Sequence, residues 1–528
     1  MATPVVPSQP STLLRCNTQA PYYKWIVAGV VLCAALTQTF AGNSINLAIP
    51  RLMAAFGTNL ATAQWIATGF LITRTLVVPI LGWLGGFLGN RNLFVICLMG
   101  FVLASAGCGL ATNLPMLIGF RLLQGLVIGP MEGLSAVLLV QAFPPHQRGM
   151  ALGLRNVGSS IGHIVSFTLG GYILEQVSWR PIFFLGIPTG IVAAVLGLLI
   201  LPQQREYQGL PIDYPGLLCL AGFLVPLLLA ISMGRNSETS RSTLAVLILC
   251  ACAGGGLFVL RELLSTFPAV NLRLFRIPDF SLICTTAFLN HVGLFGAQFM
   301  IPIFLQQVMG FTPLQAGLVI VPAIILSGFS SVITGRLSDL VPPGLVVLGA
   351  TVLLFGVFRA FATVTTLTAV GVLMVYIIGY RVCMFATQAP LTNLNARVLG
   401  TERLRMGQGL LGVTRNIGSG LGVTVTSVVF ERQRVAHQLS SYHQYDAASP
   451  MHVEMMGNVK RVLQQAGMVD TAIEQGALQT IKRQLDTEAI AAGFRESFLF
   501  ISLCFVLSCL PLLWGLLRQR HTDASNVE

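Results

Sequence analysis

Fourteen apolar runs, each near the ~20 residues needed to cross a bilayer as a helix, divide this chain, and nothing else in it limits the fold so tightly. They lie near 25–47, 64–85, 92–111, 115–141, 149–175, 180–201, 213–233, 242–261, 280–308, 314–335, 344–362, 366–390, 407–430 and 496–517. In lipid every backbone N–H and C=O has to find a partner inside the protein, so such runs become helices. Charged residues make up only 9% of the chain and hydrophobic ones 54%, whereas soluble domains carry about 25% charged residues. The expected class is therefore an all-α integral membrane protein rather than a soluble enzyme.

The net charge of +12 does not point to nucleic acid. The basic residues are scattered over short loops, as they are beside membrane spans. Arg15, Lys24, Arg91, Arg148, Arg261, Arg336, Arg397 and Arg518 fall on one side, against Arg51, Arg180, Arg235 and Arg241 on the other. This bias places both termini in the cytoplasm, as an even span count requires. The first twenty residues carry no removable signal pattern, so the first span is the targeting signal. Ten of the eleven cysteines lie in apolar runs without metal-ligand spacing. No hydrolase triad or nucleotide loop stands out either, so neither an enzyme nor a cofactor is expected.

An internal repeat organises the spans. Arg155-Asn156-Val157-Gly158-Ser159-Ser160-Ile161-Gly162 is echoed 260 residues later by Arg415-Asn416-Ile417-Gly418-Ser419-Gly420-Leu421-Gly422. The same offset takes Arg121 to Arg381 and Pro130 to Pro390. Repeats of this kind indicate two pseudo-equivalent halves around a central path. The expected organisation is a cytoplasmic tail 1–23, a six-helix half 24–201, an inserted helix pair 202–261, a second six-helix half 262–517 and a tail 518–528. The inserted pair is almost purely apolar and is expected to face lipid beside the bundle. A polar outer loop, 431–495, interrupts the second half.

The repeat breaks at one place, where Glu132 maps onto Thr392. A carboxylate inside an apolar span costs several kcal/mol unless it is paired, wetted or protonated. Glu132 is therefore the first candidate for proton coupling, with Arg121 three helical turns earlier and His163 on the adjacent span. Polar glue between helices is the bland alternative, and a satisfied packing histidine is that of His163. Arg74 is a possible ion-pair partner of Glu132. Gln38, Asn43, His163, Asn290, His291, Gln298 and Arg381 are candidate cavity groups. Because intramembrane arginines outnumber Glu132, an organic anion is an alternative ligand to an amphipathic drug. Gly158, Gly162, Gly418 and Gly422 follow the small-xxx-small spacing that lets helices approach closely.

Several further stretches carry a resemblance. Arg121-Leu122-Leu123-Gln124-Gly125, Ser178-Trp179-Arg180-Pro181, Asp213-Tyr214-Pro215-Gly216, Phe311-Thr312-Pro313-Leu314-Gln315-Ala316-Gly317 and Gly335-Arg336-Leu337-Ser338-Asp339 stand in family order. With fourteen spans in a 6+2+6 plan, the chain resembles the EmrB/QacA-like drug:proton antiporters of the major facilitator superfamily. The resemblance implies alternating access, proton-driven efflux of an amphipathic compound and a bacterial inner membrane. It also implies coupling through Arg121, gating at Arg336 and Asp339, and hinge glycines at Gly170 and Gly171. The outer loop 431–495 is expected to dock a periplasmic adaptor protein or to form a solvated cap. Three motifs depart from the family pattern: Ala41 and Gly86 stand where aspartates are usual, and His163 and Phe167 where prolines are. A uniporter or exchanger, or a transporter-like receptor or scaffold, remains open on those departures.

Overall fold

The structure is a computed structural model that describes residues 20–525, except 59, 64, 204–212, 235–239, 266–269, 366–367, 401–402, 445–455, 458–459 and 462–469. Each apolar run is helical. In the first half the helices are α1 (Tyr23–Phe56), α2 (Trp65–Leu88), α3 (Asn90–Gly109), α4 (Leu114–Ala142), α5 (Arg148–Gln176) and α6 (Gly186–Ile200). Then come α7 (Tyr214–Met233) and α8 (Arg241–Leu264). The rest are α9 (Pro278–Gln307), α10 (Pro313–Leu340), α11 (Pro343–Phe361), α12 (Val370–Leu399), α13 (Leu404–Gln444) and α14 (Asp470–Ser525).

Local chemistry sets several helix starts. Asn113 accepts from Met116 N ahead of α4, and Asp213 accepts from Gly216 N ahead of α7. Thr312 and Gln315 form a reciprocal capping box on α10. In all three a proline sits in the first turn, where its missing N–H costs nothing.

Among the described residues, thirteen helices are long and apolar enough to span a membrane. The fourteenth expected span lies within α13, whose Gln, Asn, Arg and Gly content keeps it below that mark. It is nonetheless a bundle helix, packed against α9 and α14. Its polar content is that of a helix lining an interior rather than lipid.

The repeat acquires a physical meaning here. A Cβ on Gly158 of α5 would stand 2.7 Å from Leu32 O of α1, and one on Gly418 of α13 would stand 2.7 Å from Phe288 O of α9. Equivalent glycines thus bring equivalent helix pairs together in the two halves. Each half has its own core: Phe94, Phe101, Leu134 and Leu139 in the first, and the rings of Phe304, Phe358, Phe494, Phe498 and Phe505 in the second.

The inserted pair departs from expectation. Along α8, Ile248, Leu249 and Leu264 are exposed, as a lipid-facing helix requires. Its partner α7 is instead wedged between the halves. Ser232 shares a hydrogen bond of 3.1 Å with Thr68 of α2, and Ile231 O accepts from Thr424 of α13 at 2.8 Å. The segment 431–495 is also not a loop throughout. α13 continues to Gln444, α14 begins at Asp470, and the two extensions are joined by Gln438 Nε2 donating to Asp486 Oδ1 at 2.8 Å. The tail expected from 518 onward continues α14 as far as Ser525.

Candidate functional site

Pro130 breaks α4 into two helical segments, the second beginning at Met131. Glu132 therefore occupies a first helical turn, where free N–H groups favour a carboxylate. Gly125 and Gly129 have no side chains to hold α4 away from α2. A Cβ on Gly129 would stand 2.6 Å from Arg74 O. This approach brings Arg74 Nη2 to 3.1 Å from Glu132 Oε2.

Two more guanidiniums converge on the other carboxylate oxygen. Arg155 Nη2 of α5 lies 3.7 Å from Oε1, and Arg415 Nη1 of α13 lies 4.0 Å from it. Arg155 Nη1 also donates to the Glu132 backbone carbonyl at 2.9 Å. Arg155 and Arg415 are the repeat mates that open the two echoed stretches. In the second half, Arg415 Nη2 donates to the Thr392 hydroxyl at 3.0 Å, and Thr392 is the repeat mate of Glu132. The two halves thus present the same Arg-to-partner contact, with a carboxylate in one and a hydroxyl in the other. His291 of α9 lies within electrostatic reach of both Glu132 and Arg415, and Gln388 Nε2 approaches its Nε2 at 3.3 Å. The Glu132 side chain keeps 29% of its surface exposed.

Of the residues singled out in the sequence, Arg74 and His291 join Glu132; Arg121 and His163 do not. Arg121 is 1% exposed, inside the first half. It donates from Nε to Ile66 O at 3.2 Å and from Nη1 to Gln124 Oε1 at 2.6 Å, and it lies over the Phe70 ring. Gln124 passes the contact on to Ser105 at 2.6 Å. His163 bonds Ser159 O through Nδ1 at 2.7 Å and faces the cation of Arg381 rather than Glu132. Asn290 is buried with neither amide atom paired among the described residues. Gln38 and Gln298 are half-buried, and the Asn43 side chain lies outside the described residues. Sequence reasoning passed over Arg155 and Arg415 as binding groups, although the repeat displayed both.

The halves are tied together at the end where α5 and α13 begin. Asp339, at the end of α10, accepts from Gly149 N at 2.7 Å and Met150 N at 3.0 Å, capping α5 across the interface. Arg336 beside it is exposed. Asn156 of α5 donates to Ser331 of α10 at 2.8 Å. The pseudo-equivalent tie has no carboxylate, because Gly86 stands in the last turn of α2 where the family pattern has an aspartate. Arg405 Nε of α13 donates instead to Asn90 Oδ1 at 2.9 Å, and Asn90 donates to Gln141 Oε1. Gly162 lies against Thr39 and Gly422 against Val292, extending the close approach seen at Gly158 and Gly418. Gly170 is buried, and Gly171 has open space at its Cβ position.

A family model described as the Major Facilitator Superfamily matches residues 31–423. The chain belongs to that superfamily. Among superfamily proteins it is 27% identical to the multidrug export protein EmrB of Escherichia coli K12 over 486 residues, covering 91% of this chain and 93% of EmrB. It is also 27% identical to the fatty acid resistance protein FarB of Neisseria gonorrhoeae, covering 93% of this chain and 95% of FarB. Among solved structures, the human organic anion transporter MFSD10 (TETRAN) superposes with a TM-score of 0.61 at 15% identity, over 94% of this chain and all of that one. The proton:xylose symporter XylE superposes with a TM-score of 0.57 at 14% identity, over 93% of this chain and 95% of that one. Both show a shared major facilitator fold.

Proposed function

We propose that this chain exports an amphipathic organic compound across a bacterial inner membrane by alternating access, with protons moving in the opposite direction. The similarity to multidrug export proteins supports efflux. The observation that carries a role for the site is the Glu132 cluster, where Arg415 of one half meets a carboxylate of the other. A rocking motion of the halves changes the Glu132–Arg415 separation while leaving Arg74 and Arg155, which belong to the same half as Glu132, in place. Proton and guanidinium are alternative partners of one carboxylate, so the motion links proton exchange to access.

Arg121 acts in this reading as a rigid spacer between α2, α3 and α4, not as a group in the path. The Asp339 cap on α5 supports a conformation closed toward the cytoplasm, with both termini on that side. The helical extensions of α13 and α14 then stand on the periplasmic side, where they are the surface for an adaptor protein. No cofactor is needed; the proton gradient supplies the energy. The test is purified protein in liposomes with an imposed pH gradient and labelled amphipathic compounds. Gradient-dependent accumulation supports the reading; accumulation that ignores the gradient removes the coupling, and no flux for any compound favours a receptor or scaffold.

A further inference from the structure

Charge bookkeeping at the Glu132 cluster is unbalanced. Three guanidiniums, those of Arg74, Arg155 and Arg415, face one carboxylate, and among the described residues the other titratable groups in reach are the imidazole of His291 and, beside Arg415, the thiol of Cys284. The imbalance has a definite location. Arg74 makes the one short contact, 3.1 Å, while Arg155 and Arg415 stand back at 3.7 and 4.0 Å from the other oxygen. Arg415 is 7% exposed and its Nε has no hydrogen-bond partner among the described residues. Its repeat-equivalent partner is Thr392, a hydroxyl that cannot neutralise it. A buried guanidinium without a counter-ion of its own is costly, and planar N–H donors are suited to a carboxylate or sulfonate held by paired bonds.

We propose that the Arg155–Arg415 pair binds the acidic head group of an amphipathic organic anion, whose apolar body lies along the interface between the halves. This rests on reading the cluster as the transport site, and it names the substrate class. Glu132 is then a tethered competitor. It occupies the approach to the pair in the empty protein, and Arg74 holds it aside when the ligand binds. An organic cation finds the opposite situation, since its one attractive group is already surrounded by three positive charges.

The experiment uses purified full-length protein in nanodiscs and three probes of one shape: 1-naphthoate, 1-naphthylmethanol and 1-naphthylmethylammonium. Saturable binding is measured by equilibrium dialysis, with empty nanodiscs correcting for lipid partition. The expected order is naphthoate at least about 10-fold tighter than the alcohol, with the ammonium weakest, as one or two charge-assisted bonds provide. Arg415→Ala lowers naphthoate affinity about 10- to 100-fold and leaves the alcohol unchanged. Glu132→Gln strengthens naphthoate binding. Tighter binding of the ammonium, its loss in Glu132→Gln, or absence of saturable naphthoate binding overturns the proposal. If Arg415→Ala is not monodisperse, the ranking of the three probes on the wild-type protein decides alone. A failure of proton coupling leaves this ranking untouched, so the two readings fail separately.

Discussion

At the scale of single residues, the asymmetry between Glu132 and Thr392 governs the site. Each faces its own half's arginine, Arg155 or Arg415, so the chain carries two guanidiniums and one counter-charge across its pseudo-twofold axis. Thr392→Glu gives Arg415 a partner of its own. The expected result is loss of about 10-fold or more in affinity for an anionic probe, read by the same dialysis measurement, with the fold intact by thermal denaturation. Gly129 tests how the site is assembled. With Arg74 O only 2.6 Å from where a Cβ would stand, Gly129→Ala has to push α4 from α2. Overpacking of this kind costs about 1–3 kcal/mol, so a lowered melting temperature and weakened proton coupling are expected together. Retention of both at wild-type level means that the contact between α2 and α4 does not set the Arg74–Glu132 distance.

Helices and their ends hold the two halves in register. Asp339 contributes a charged cap to α5 from the opposite half, an interaction worth about 0.5–2 kcal/mol at a helix N-terminus. Asp339→Asn weakens it, and the equilibrium between joined and separated halves is expected to shift several-fold toward separation. Spin labels at the exposed positions 146 and 336 report this directly, as growth of a longer-distance population in the variant. An unchanged distance distribution means that the Asn156–Ser331 and Arg405–Asn90 contacts suffice. The α13 and α14 extensions belong to this scale as well. Replacing Gln438 and Asp486 by alanine removes the bond that joins them. Efflux from cells is expected to fall while transport in liposomes is kept, because under the proposed function only the former uses an adaptor.

For the whole molecule, the fold was legible because lipid leaves a chain few choices. Apolar run lengths located the helices, and the offset of 260 residues announced two halves before any contact was seen. The carboxylate Glu132, deep in an apolar run, was visible in the same way, and so was its nearest partner, Arg74. What could not be read was which cations from distant positions meet it. Arg155 and Arg415 stand at the heads of the repeated stretches, yet their convergence depends on how α5 and α13 dock across the interface. Spacing along α4 likewise pointed to Arg121, which turns instead into the interior of the first half, where it donates to Ile66 O and Gln124. The wedge made by α7 was hidden for a similar reason, since its polar contacts are made by one hydroxyl, Ser232, and one backbone carbonyl, that of Ile231, in an otherwise apolar helix.

The central claim is that Glu132 couples proton movement to substrate movement without being required for substrate to bind. The most direct measurement compares two fluxes of labelled naphthoate in liposomes, for wild type and Glu132→Gln. One is counterflow with no pH gradient; the other is accumulation driven by an imposed gradient, with lumenal pH followed in parallel. The account predicts that Glu132→Gln retains counterflow and loses both gradient-driven accumulation and substrate-dependent proton flux. Gradient-driven accumulation at the wild-type level in Glu132→Gln would contradict it.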